Sequence, residues 1–172
     1  MLSYLMSVQL FNKSLFCYFR IGPVTGLLDR QSVIAWADEE IIKNPSAGDD
    51  VIELALASQQ SYSQIIWLLN RLQDNADIDL PIKMLLARAG VLLEQQPEQA
   101  TEIGMGLQLL LAEEFLPGEI RSLLRVMEND LESTPLSPIA ADDLARRLSA
   151  FLGDYAIYRG LLPVTGGLGW TA

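Results

Sequence analysis

The chain has 172 residues and a formal charge of −10, with 12 basic against 22 acidic side chains and half of its residues hydrophobic. That is enough for one domain with a proper core, and so acidic a balance repels phosphate backbones and anionic bilayers, setting aside nucleic acid and membrane surfaces as partners. Histidine is absent and cysteine occurs once, which excludes a Ser-His-Asp triad, a Cys-His pair, a His-based zinc site and an internal disulfide.

The first 28 residues, "MLSYLMSVQLFNKSLFCYFRIGPVTGLL", differ from the rest. They carry Lys13 and Arg20 and no acid; taking their +2 from the total of −10 leaves −12 for the remaining 144 residues. A secretory signal needs an unbroken apolar run after a basic start, and a membrane span needs about 20 apolar residues. Ser3, Ser7, Gln9, Asn12, Lys13 and Ser14 interrupt both patterns. Residues 1–28 therefore read as a weakly basic apolar extension, either an ordinary strand or helix or the product of a start read too far upstream. On the second reading, a start at Val24 or Leu27 leaves the helical body intact. Cys17, in "LFCYF", reads as a small buried hydrophobe.

From Asp29 the apolar residues recur every three or four positions among good helix formers, the mark of amphipathic helices. Asp29 suits an N-cap for "RQSVIAWADEEIIK", with Val33, Ala37 and Ile41 on one face and Trp36 nearby. "NPSAG" ends it, and Asp49 or Asp50 is expected to cap "VIELALAS". Ser61 and Gln64 have capping-box spacing before "YSQIIWLLNRLQD", whose inward face is Ile65, Leu68, Leu69 and Leu72. Trp36 and Trp67 both read as core. After "NADIDLP", Asp79 and Pro81 open "IKMLLARAGVLLEQQ", with Leu85, Val91 and Leu92 apolar.

Pro97 restarts the chain as "EQATEIGMGLQLLLAEEF", with Ile103, Leu107, Leu110 and Leu111 as its stripe. Pro117 restarts it as "GEIRSLLRVMENDLE", with Ile120, Leu123, Leu124, Met127 and Leu131 inward. Ser137 and Pro138 open "IAADDLARRLSAFLGDYAIY", with Leu144, Leu148, Phe151 and Leu152 inward. The expected fold is an all-α, single-domain bundle of about seven helices spanning residues 29–160, with a short HEAT-like stack as the alternative. Residues 161–172 form a Gly-rich tail.

Several motifs carry less than they spell. Leu162-Pro163-Val164-Thr165-Gly166 matches the sortase sorting signal. The "GLGWTA" after it lacks the apolar span and basic stop that anchoring needs, and Pro-Val-Thr-Gly also occurs at residues 23–26. Both copies read as turns. Asn75, Asp77 and Asp79 alternate like the start of a calcium loop, but the sixth and twelfth positions hold Leu80 and Leu86 rather than Gly and Glu. Gly104 and Gly106 lack the strand and the Lys or Arg of a phosphate loop, and read as places where another helix approaches closely. The acidic pairs suit helix starts better than catalysis.

Residues 25–57 resemble a loose group of small, uncharacterised all-helical bacterial proteins. The likeness lies in Gly26-Leu27-Leu28, Trp36-Ala37-Asp38 and Ile52-Glu53-Leu54-Ala55-Leu56. It implies a bacterial source and residues 1–23 as an addition, and it brings no activity with it. The function expected is that of a cytoplasmic, non-enzymatic module docking a basic protein partner through an acidic helical face, in its sharpest form an immunity-type inhibitor. The residues expected to carry it are Asp38, Glu39, Asp49, Asp50 and Trp170, with no catalytic residue, cofactor or metal. A homo-oligomeric scaffold using "LFCYF" and Trp170 is the alternative, and an enzyme working through carboxylates or a divalent metal is the third.

Overall fold

A computed structural model describes residues 2–44, 47–74, 76–133 and 138–163. Among them there are eight α-helices, four short 3-10 stretches and no strand, so the chain is all-α. By its contacts it divides into two compact units, one within Met1–Pro23 and Leu28–Asp77, the other comprising Val24–Leu27 and Ile78–Leu162.

The first unit contains α1 (Leu2–Val24, up to Pro23), α2 (Arg30–Lys43), α3 (Asp49–Leu56) and α4 (Tyr62–Gln73). Of the two sequence readings of the N-terminus, α1 is the ordinary helix. Leu15, Phe16, Cys17, Tyr18, Phe19 and Ile21 are all buried, so this stretch belongs to the core rather than to an appendage. Phe19 lies 4.8 Å from Trp36 and Phe16 meets the same indole edge-on at 6.3 Å, centroid to centroid. Burying side chains of this size stabilises by about 1.5–3 kcal/mol each. "LFCYF" is thus not spare surface for an oligomer, and a chain begun at Val24 or Leu27 would lose these contacts. Val33 and Ala37 of α2, Leu54 of α3 and Ile65 and Leu69 of α4 are buried as well.

Helix boundaries follow local chemistry. Asp29 caps α2, its carboxylate accepting from the Ser32 amide at 2.5 Å. The Ser61–Gln64 capping box opens α4 in both directions. α3 departs from expectation: Gly48 is its N-cap, and Asp49 and Asp50 occupy the first turn. There their charge complements the helix dipole without a capping hydrogen bond. Arg30 donates to the Ser58 and Gln60 carbonyls at 2.8 and 2.5 Å, satisfying acceptors around the 3-10 turn that follows α3.

The second unit contains α5 (Asp79–Gln95), α6 (Ala100–Leu109), α7 (Gly118–Ser133), α8 (Pro138–Gly153) and a 3-10 stretch over Ala156–Leu161. The last replaces the continuous helix expected through Tyr158. Ile82, Met84, Leu85, Leu86, Ala87 and Ala89 make α5 buried nearly all round, the pattern of a central helix. It packs against α8 and the closing 3-10 stretch, where Arg159 forms a bidentate ion pair with Glu94. In α7, Ile120 and Leu124 are buried but Leu123, at the edge of the same stripe, is exposed.

Gly106 shows why a glycine sits inside α6. A Cβ there would come within 2.3 Å of the Thr25 carbonyl oxygen. The close approach expected at this glycine is real, but it is made by Thr25, in the turn after α1, rather than by another helix. Gly26 supplies the turn's positive φ of 72°, which suits a residue without a Cβ.

Candidate functional site

The residues expected to meet a partner distribute unevenly. α2 and α3 are packed neighbours in the first unit. Asp38 is exposed on α2, and Asp49 and Asp50 are exposed at the start of α3. Glu39 differs: it is half-buried and engaged by Lys43 one turn later, at 2.8 Å. Trp170 lies outside the described residues, as do Val164–Gly166 of the sorting-like motif, Asn75 of the calcium-like loop, and Pro45 and Ser46 of "NPSAG".

The electrostatics of this unit depend on where its five basic side chains go. Lys13 pairs with Asp74 at 3.1 Å. Arg20 donates to Gln73 at 2.9 Å. Arg30 is committed to backbone carbonyls, Lys43 to Glu39, and Arg71 to Glu53. Every base is engaged. Among the described residues, Asp38, Glu40, Asp49 and Asp50 have no cation within ion-pair distance. Residues 29–53 hold seven carboxylates and two bases, so this edge presents uncompensated negative charge.

Beside it lies an apolar set that sequence reasoning missed. Trp67, expected in the core, is 62% exposed, whereas Trp36 is 7% exposed. The register explains the difference. Ile65, Leu68, Leu69 and Leu72 are buried, and Trp67, two positions after Ile65, stands about 200° round the helix from it. The inward face named from the sequence already implied this. Arg71 lies 5.3 Å over the Trp67 ring while its guanidinium also pairs with Glu53 of α3. Leu56, one turn beyond Glu53, is 74% exposed, and Ile52 is also exposed. Burial pushes the phenol of Tyr62, at the start of α4, above its ordinary value.

Among the described residues of the second unit, the perturbed ionisable groups are engaged in ion pairs or partly buried. Lys83 donates to Asp79 at 2.5 Å and lies 5.9 Å from the Tyr158 ring. The Asp79 hydrogen bond raises its pKa, which keeps it a protonated structural cation rather than a nucleophile. Burial likewise raises the Tyr155 phenol. Asp143 is held below its ordinary value by the hydrogen bond from Arg147. Arg121 donates to the Leu111, Glu113 and Glu114 carbonyls and braces a loop whose Phe115 is exposed.

Among the described residues, no three of Asp, Glu and Cys stand together so as to hold a metal ion, and no helix is long and apolar enough to cross a membrane. What the acidic edge can do chemically is attract and orient positive charge. No protein-family model, curated protein or solved structure matches the chain.

Proposed function

We propose that this protein is a non-enzymatic binding module that docks a basic protein partner on the acidic edge formed by α2 and α3, with an immunity-type inhibitor as its sharpest form. One observation carries the reading: all five bases of the first unit are spent internally, while Asp38, Glu40, Asp49 and Asp50 are left without counter-ions. Such an edge attracts a cationic surface over roughly a Debye length, about 8–10 Å near physiological salt. It favours fast, salt-sensitive association.

The test is capture from the source organism by the intact protein and by an Asp38→Asn/Asp49→Asn/Asp50→Asn variant. The expected result is a basic protein recovered at low salt, released as salt rises, and recovered poorly by the variant. An acidic or neutral partner, or one held equally by the variant, contradicts the reading.

A further inference from the structure

Resting on that reading, we infer that the partner presents an amphipathic basic helix, whose apolar face seats on Ile52 and Leu56 of α3 and Trp67 of α4. Arg71 links the helices that carry these side chains. Arg71 touches Glu53 of α3 and the Trp67 ring of its own helix, and Leu56 stands one turn beyond Glu53. Ile52 and Leu56 are four apart, so they share one edge of α3.

Three features select the occupant. Apolar contacts repeated along a helix edge match the spacing that a partner helix presents at i, i+3, i+4 and i+7. Asp49 and Asp50 at the start of α3 supply a carboxylate rim, which complements Lys or Arg flanking that apolar face. Of the cations beside α3, Arg71 is already paired with Glu53 and Arg30 is held on the Ser58 and Gln60 carbonyls. A second copy of this chain is a poorer fit, because it brings its own net charge of −10 and the same acid rim. An exposed Trp is the side chain that interface anchors favour.

The experiment uses the full chain labelled with 5-fluorotryptophan. The Trp67 resonance is identified by its loss in Trp67→Phe. The probe is a synthetic helical peptide of Leu and Lys, on the order of 18 residues or five turns, compared with one whose Leu are replaced by Ser. The Leu–Lys peptide is expected to shift the Trp67 resonance saturably, leave the Trp36 resonance in place, and bind about tenfold more weakly to Leu56→Ser. The Ser–Lys peptide is expected to leave Trp67 unmoved.

Binding of the Leu–Lys peptide without a Trp67 shift overturns this inference and leaves the acidic-edge reading standing. An equal Trp67 shift with the Ser–Lys peptide also overturns it, since the apolar face is then not read. A concentration-dependent dimer abolished by Leu56→Ser makes a second copy the occupant and overturns it as well. No binding of either peptide at low salt contradicts the acidic-edge reading itself. Leu56 and Trp67 are solvent-facing, so both variants are expected to keep the parent's circular dichroism, which checks folding.

Discussion

At position 106 an added methyl group has nowhere to go. The Thr25 oxygen is backbone and cannot rotate aside, so Gly106→Ala is expected to destabilise by about 1–3 kcal/mol, the range for overpacking a filled site. Gly153, at the end of α8, meets nothing within 4 Å; Gly153→Ala is expected to be neutral or to stabilise by about 0.5–1 kcal/mol. Urea unfolding of the two variants checks the contrast. The tryptophans form a second pair. Trp36→Ala empties a site lined by Phe16 and Phe19 and should cost about 3–5 kcal/mol, whereas Trp67→Ser should change stability by less than about 1 kcal/mol.

Asp143 gives a residue-level expectation for pH. Its pKa in the folded chain lies below the ordinary 3.8, chiefly through the Arg147 hydrogen bond and further through the charges of Arg147 and Arg146. A depressed carboxylate contributes stability that is present above its unfolded value and lost as pH falls through the folded one. The effect is therefore confined to pH below about 4. Carbon-detected NMR titration should place the Asp143 midpoint below 3.8, and Arg147→Gln should move it upward. Side-chain exposure was only partly legible in the sequence at this scale. Capping residues announce themselves because their partners lie three positions away. Trp67 was misplaced by hydrophobicity taken without regard to angle around the helix, whereas Leu123, one turn from Ile120, sits at the edge of its stripe and is exposed.

Among elements, α2 and α4 were legible to within a residue because each opens on a side-chain cap: Asp29 for one, Ser61 with Gln64 for the other. Ser61→Ala is expected to cost about 1 kcal/mol, measurable by thermal unfolding. α1 was not legible. Its sequence lacks acids and a clean amphipathic stripe, so it read as foreign to an acidic helical protein. Its place becomes clear only when the aromatic ring of Trp36 is seen against Phe16 and Phe19. Phe19 is fully buried, and Phe19→Ala is expected to cost about 3–5 kcal/mol. A chain lacking residues 1–23 should lose the cooperative unfolding of the first unit; an unchanged denaturation curve would show that these contacts contribute nothing. The 3-10 stretch over Ala156–Leu161 was hidden as well, since Tyr155 and Tyr158 continue a helical pattern while Gly153 breaks it.

For the molecule as a whole, the three- and four-residue apolar spacing indicated the fold class, and composition the sign of the net charge. Net charge alone does not say where that charge is free. The acidic edge emerges from a distribution the sequence does not display: Arg30 turned onto carbonyls, Arg71 onto Glu53, Lys43 onto Glu39. Of the residues expected at the site, Asp38, Asp49 and Asp50 are exposed and available, while Glu39 is engaged. The outward position of Trp67 was implied by the register of Ile65, Leu68, Leu69 and Leu72, whereas the exposure of Leu56 came only with the structure.

The most direct measurement of the acidic edge's role is the association rate with the captured partner as ionic strength rises. Electrostatically steered docking predicts a rate that falls steeply with salt, by about two orders of magnitude between low and high ionic strength. It also predicts a much flatter dependence for Asp38→Asn/Asp49→Asn/Asp50→Asn. An association rate indifferent to salt, or one the triple variant leaves unchanged, would contradict it.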